Sequence, residues 1–187
     1  MLKFRLEWMT ALTALAGGVL AAEQPFAIDA TQSRIEVAVH ATADSFTAKL
    51  TQFEPVVTLA EDGRVATARV TFHFRDLKTG KDKRDAAMHT WQQTDQFPDG
   101  TFVLSSLEPA SAPDAGFIAQ GRLTFHGVAR EVKFPVSVMR EGQRYTIDGE
   151  AKLDTREFGL PIIRMMLMLK VDPIVKVKFH LTGQPQS

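Results

Sequence analysis

Residues 116–138 read G-F-I-A-Q-G-R-L-T-F-H-G-V-A-R-E-V-K-F-P-V-S-V. Phe117, Ala119, Gly121, Leu123 and Phe125 alternate with Ile118, Gln120, Arg122 and Thr124, and a period of two puts one set on each face of a strand. After His126-Gly127 the alternation resumes with Val132, Phe134, Val136 and Val138. Two strands joined by about two residues, one of them Gly, predict a β-hairpin, because Gly enters the positive-φ positions of a primed turn at little cost. A lone hairpin is marginal in water and needs more sheet to cover its apolar face.

The rest of the chain supplies that sheet. Alternating runs are expected as strands at residues 34–41, 46–51, 56–59, 65–74, 101–107, 145–153 and 174–181. In the fourth of these, Ala66, Ala68, Val70, Phe72 and Phe74 form one face. The period changes at residues 83–93, where Asp82 and Asp85 at the start of D-K-R-D-A-A-M-H-T-W-Q-Q predict a helix with carboxylates at its positive end. The stretch at 160–171, L-P-I-I-R-M-M-L-M-L-K-V, fits a buried strand or a short helix equally. An all-β chain with one short helix, closed as an up-and-down antiparallel barrel of about eight strands, accounts for this pattern. A two-sheet sandwich fits the alternation nearly as well, but it leaves edges that closure removes.

The length of 187 residues suits one domain. The 22 basic residues balance the 22 acidic ones, which argues against a broad electrostatic grip on nucleic acid or on an anionic membrane. Lys3 and Arg5 precede an apolar run at 10–20 that ends in Ala21-Ala22. That run is too short for the roughly twenty residues of a membrane span and predicts a signal peptide over 1–22, cleaved after Ala21 or Ala22. Residues 23–187 are then the exported domain, and an uncleaved anchor is the alternative. With no cysteine, there is neither a disulfide framework nor a lipid-modified cysteine.

The segments I-D at 28–29, S-R-I-E-V-A-V-H at 33–40, L-K-T-G at 77–80, R-D at 84–85, M-H at 88–89, F-P at 97–98 with Phe102 after it, G-R-L-T-F-H-G-V at 121–128 and E-F-G at 157–159 resemble, in order and spacing, the YceI-like family of exported proteins. The resemblance spans about residues 26–182. It implies a lipocalin-like barrel in the periplasm whose interior holds a polyisoprenoid lipid, an isoprenoid quinone or a similar long-chain amphiphile, with no catalytic constellation and no required cofactor.

Small inward residues beside aromatic ones leave room in an eight-strand barrel for one ligand, though its own side chains can also fill it. The residues expected against the tail are Ala68, Val70, Phe72, Phe74, Phe102, Phe117, Leu123, Phe134, Val136, Phe158 and Phe179. Met165, Met166 and Met168 form an adaptable apolar lip, a core contact or a subunit contact. Arg84 and Arg156, with Arg164 and Lys170, are the cations able to meet a polar head, against a plain solvated role. The protein partners left open are a second copy and, through the Met-rich segment, a membrane complex. Neither a G-x-S-x-G elbow nor a cysteine nucleophile is present. The five histidines show no i, i+4 zinc spacing. Asp85 and His89 are four apart on the expected helix, where a cap and a surface imidazole account for both.

Overall fold

The computed structural model describes residues 23–42, 44–111, 116–165 and 169–186. Its strands are β1 (Gln24–Ile28), β2 (Arg34–Val39), β3 (Phe46–Leu50), β4 (Glu54–Leu59), β5 (Val65–His73), β6 (Leu77–Lys78), β7 (Asp99–Pro109), β8 (Phe117–Phe125), β9 (Val128–Glu141), β10 (Arg144–Asp154), β11 (Arg164–Met165), β12 (Leu169–Lys170) and β13 (Ile174–Pro185). One helix, α1 (Asp82–Gln92), and 3-10 turns at Phe74–Asp76 and Thr155–Phe158 complete the order.

The hydrogen-bonded order β1-β4-β5-β7-β8-β9-β10-β13 returns to β1, through Phe26↔Pro185 and Ile28↔Gly183, and so closes an eight-strand antiparallel barrel. The first three walls of the ring are each broken midway. Strand β13 pairs with β1 along its second half and with β2 along its first, from Lys176↔Ala38 to His180↔Arg34. The chain bends between them at Asp29, whose carboxylate accepts from the Thr31 N–H and the Gln32 amide, both at 2.9 Å. Strands β3 and β6 then extend β2 as β4 and β5 extend β1. The first strand went unread in the sequence because it is short and contains Pro25, yet it closes the ring.

The expected hairpin forms with Phe125 opposite Val128. His126 and Gly127 take φ of 50° and 71°, as the primed turn requires. One expectation fails at the other end of the barrel. The register shifts between Thr58 and Leu59 so that Leu59 faces Val65; this bulge turns Val65 inward and leaves Ala66 exposed. A second shift between Leu104 and Ser106 brings Leu107 opposite Ala119.

The helix starts one residue earlier than expected and ends at Gln92, capped by Gln93 in a left-handed conformation. Its cap differs from expectation. Lys81 occupies the cap position and makes no side-chain cap bond, while the buried Asp85 accepts from the Thr79 N–H at 2.9 Å and the Thr79 hydroxyl at 2.5 Å. Burial pushes the Asp85 carboxyl up, and those two bonds with the nearby Lys78 charge outweigh it, so the group sits below the usual carboxylate range. The 160–171 stretch is neither one strand nor a helix: it carries the two-residue strands β11 and β12. Thr42 donates to the Lys170 carbonyl (3.0 Å from N, 3.1 Å from Oγ1) and Asp172 N–H to the His40 carbonyl (2.8 Å), so the segment is tied to the β2–β3 connection.

Candidate functional site

Alternation turns one apolar row of every wall strand inward, and three clusters result. At the end formed by β1 and the β9–β10 hairpin, Phe26, Val57, Leu59 and Tyr145 are buried and take Ile28, Val65, Ala68 and Val138 against them. The Phe26 and Tyr145 rings meet edge to face at 5.5 Å. In the middle, Ala119, Phe134, Val136 and Ala151 are buried with Phe102, Leu104, Val177 and Phe179 packed on them; Phe134 lies 5.6 Å from Phe102 and 5.8 Å from Phe179. At the α1 end, Phe125 stands between Phe74 (5.7 Å) and Phe158 (5.6 Å), while His89 meets the edge of Phe74. His126 donates from Nδ1 to the Phe158 carbonyl at 2.9 Å, and its Nε2 is buried with no hydrogen-bond partner among the described residues.

The expected site residues therefore divide. Phe102, Leu123, Phe134, Val136 and Phe179 line the middle with Phe117, opposite Val136. Val70 and Phe72 continue that wall through Val70↔Phe102 and Phe72↔Gly100. Ala68 belongs to the far cluster, and Phe74 and Phe158 belong to the α1-end plug, buried to 4% and 1% exposure. The room expected at small residues is partly occupied. A Cβ at Gly121 would clash with the Phe102 ring, and one at Gly149 with the Phe179 ring, so these rings fill what the glycines leave.

Another inward arc is less completely buried, although Leu153 and Val177 pack against the middle cluster. Val37 and Val39 on β2, Leu153 on β10, and Val175 and Val177 on β13 all face inward, and all are only half-buried, unlike Leu59 or Phe26. Alternation turns these five residues inward without marking them, because it gives the face and not the degree of burial. Two hollows, one of about 470 Å³ beside Arg34, Asp148 and His180 and one of about 220 Å³ beside Glu54 and His73, are lined mostly by outward-facing residues, with the inward Val136, Gly149 and Phe179 also lining the first and Phe72 the second.

The two expected cations differ. Arg84, from α1, sits over the Phe46 ring at 4.1 Å and donates to Asp44 at 3.1 Å. Phe46 shares the inward row of β3 with the buried Ala48 and Leu50, so the guanidinium stands at the rim of the apolar interior. Arg156 instead folds back on Asp154, whose carboxylate also accepts from its N–H at 3.0 Å. Hydrogen bonds and charge from Arg156 hold Asp154 below the usual range. Met166 and Met168 lie outside the described residues, and only the backbone of Met165 is described. Asp85 is engaged with Thr79 and His89 with Phe74 and Thr94, so each has a structural role. Among the described residues no group of three or more His, Asp or Glu side chains gathers as a metal site.

Solved structures share this barrel. BcnA of Burkholderia cenocepacia matches with a TM-score of 0.73 at 22% identity, over 83% of this chain and 99% of that one. A polyisoprenoid binding domain from Saccharophagus degradans, implicated in plant cell wall breakdown, matches with a TM-score of 0.63 at 15% identity, over 87% of this chain and 99% of that one. The Campylobacter jejuni YceI protein matches with a TM-score of 0.64 at 13% identity, over 79% and 89%. No curated protein matches the chain. The model of the YceI-like domain matches residues 26–183, and with nearly all of the barrel inside that match the chain belongs to the YceI-like family.

Proposed function

We propose that this protein is a non-enzymatic carrier that holds the tail of a long apolar amphiphile, a polyisoprenoid lipid or an isoprenoid quinone, inside its barrel, and that it works in the periplasm after losing residues 1–22. The observation that carries this reading is the half-buried apolar arc of Val37, Val39, Leu153, Val175 and Val177 on the inner wall of a closed barrel. Apolar surface left uncovered inside a fold is surface that a ligand can cover. Family membership and the fold shared with a polyisoprenoid binding domain support it.

Magnitudes favour a long tail. At about 0.8 kcal/mol per buried methylene, roughly fifteen carbons contribute about 12 kcal/mol gross, and association costs of about 4 to 15 kcal/mol remove most of that. Affinity must then rise with chain length. The test is uptake by delipidated protein of prenols of increasing length, with the head group held constant. The reading expects Kd to fall with each added isoprene unit until the interior is full; flat affinity across the series contradicts it. Fractionation of the native host tests the compartment, with the chain expected in the periplasmic fraction.

A further inference from the structure

The chain is electrically balanced as a whole, but its charges are unevenly placed. Arg164 and Lys170 are directly opposed in the β11–β12 pair, and both are exposed. Lys49 and Lys78 are directly opposed in the β3–β6 pair. Like charges facing each other across a ladder are destabilising, and here the same sign recurs twice at one end of the barrel. Lys81 and Lys83, at the start of α1, add two exposed cations. The pieces adjoin: Arg84 ties α1 to Asp44, and Thr42 ties the same connection to Lys170.

Lys49 reaches Glu36 at 3.6 Å. Among the described residues no carboxylate forms an ion pair with Lys78, Lys81, Lys83, Arg164 or Lys170. Of the nearby carboxylates, Asp44 is committed to Arg84, Asp85 to Thr79 and Asp172 to the Ile174 N–H, while Asp76, Asp82 and Glu157 also stand at this end. The 160–171 sequence bears no charge besides Arg164 and Lys170.

We propose that this rim of unpaired cations docks the protein on an anionic lipid surface, with the α1 end of the barrel turned toward the bilayer. The occupant is chosen by charge complementarity: several lysines and an arginine spread over a rim suit a diffuse sheet of phosphates better than one compact anion. A Lys or Arg near an anionic surface raises partitioning about fivefold, so neutralising four lowers it by roughly 600-fold. The attraction acts over a Debye length of about 10 Å at 0.1 M salt and weakens above it.

The mature protein is sedimented with vesicles of phosphatidylglycerol and phosphatidylcholine in equal parts, and with phosphatidylcholine alone. The variant Lys81→Gln, Lys83→Gln, Arg164→Gln, Lys170→Gln is compared with a control of equal charge change, Arg64→Gln, Arg122→Gln, Lys133→Gln, Arg144→Gln, and circular dichroism confirms that both fold. The proposal expects binding to the anionic vesicles only, lost in the rim variant, kept in the control and weakened by salt. Binding that ignores phosphatidylglycerol, or that falls equally in both variants, or no binding by the wild type, overturns it. Uptake of a long-chain prenol by the wild type from detergent micelles reads the interior separately, so failure of docking and failure of the carrier reading are distinguishable.

Discussion

Replacing Val177 with Phe asks whether the inner arc is space or packing. Val177 lies between Val37 on β2 and Ala151 on β10, and it is half-buried although it faces inward. If a lipid tail runs along this arc, a phenyl ring there displaces about four methylenes, which removes about 3 kcal/mol of tail burial and weakens Kd by roughly a hundredfold. Ala119 is the matched comparison. It is 2% exposed, opposite Phe134, so Ala119→Phe overpacks a sealed site and costs about 1 to 3 kcal/mol of stability. Val177 packs against the middle cluster but is only half-buried, so Val177→Phe is expected to cost less. Calorimetric titration with a long-chain prenol reads the first effect, and urea unfolding reads the second. If Val177→Phe binds like the wild type, or destabilises as much as Ala119→Phe, the arc is already filled by protein and the reasoning fails.

Three other outcomes follow from named contacts. Phe158→Ala empties a site at 1% exposure beside Phe125 and is expected to cost about 3 to 5 kcal/mol, lowering Tm by roughly 10 °C; a loss under about 1 kcal/mol in chemical denaturation argues against an aromatic plug. Asp85→Ala strands the Thr79 N–H beneath the helix and is expected to cost about 1 to 3 kcal/mol, with acid sensitivity altered as well. Because the folded Asp85 carboxyl lies below its ordinary range, its contribution is present above that range and lost as pH falls through the folded value, so the variant's stability should vary less with pH there than the wild type's. Imidazole titration by NMR separates two histidines. The hydrogen bond and charge of Asp99 raise His73, whose contribution is present below the ordinary imidazole pKa and lost as pH rises through the folded value. Burial, then Lys78 and Arg75, lower His89, whose contribution is lost as pH falls. Finding the two in the reverse order refutes both environments.

Much of the architecture was legible because period-two alternation survives wherever a strand has one face inward. The β8–β9 hairpin was readable down to its two turn residues, since Gly127 needs positive φ and its neighbours alternate cleanly. Irregularities were not readable. A bulge at Leu59 reverses the face of Ala66 without leaving a mark in composition. The breaks in the first three walls depend on long-range pairing, with β13 recruiting β1 and β2 in turn. The site was legible as a set of faces and not as a volume. Small inward residues suggested room, but at Gly121 and Gly149 the Phe102 and Phe179 rings from adjacent strands occupy it, while the half-buried arc lies at four valines and Leu153, which alternation cannot tell from sealed positions. Arg156 and Arg84 looked alike in sequence; Asp154, two residues away, draws one back, whereas Phe46 and Asp44 hold the other at the rim.

The most direct test is a crystal structure of the protein purified from its native host without delipidation. The account predicts continuous non-protein density along Val37, Val175 and Val177. An interior closed by the chain's own side chains, with no such density after incubation with long-chain prenols, would contradict it.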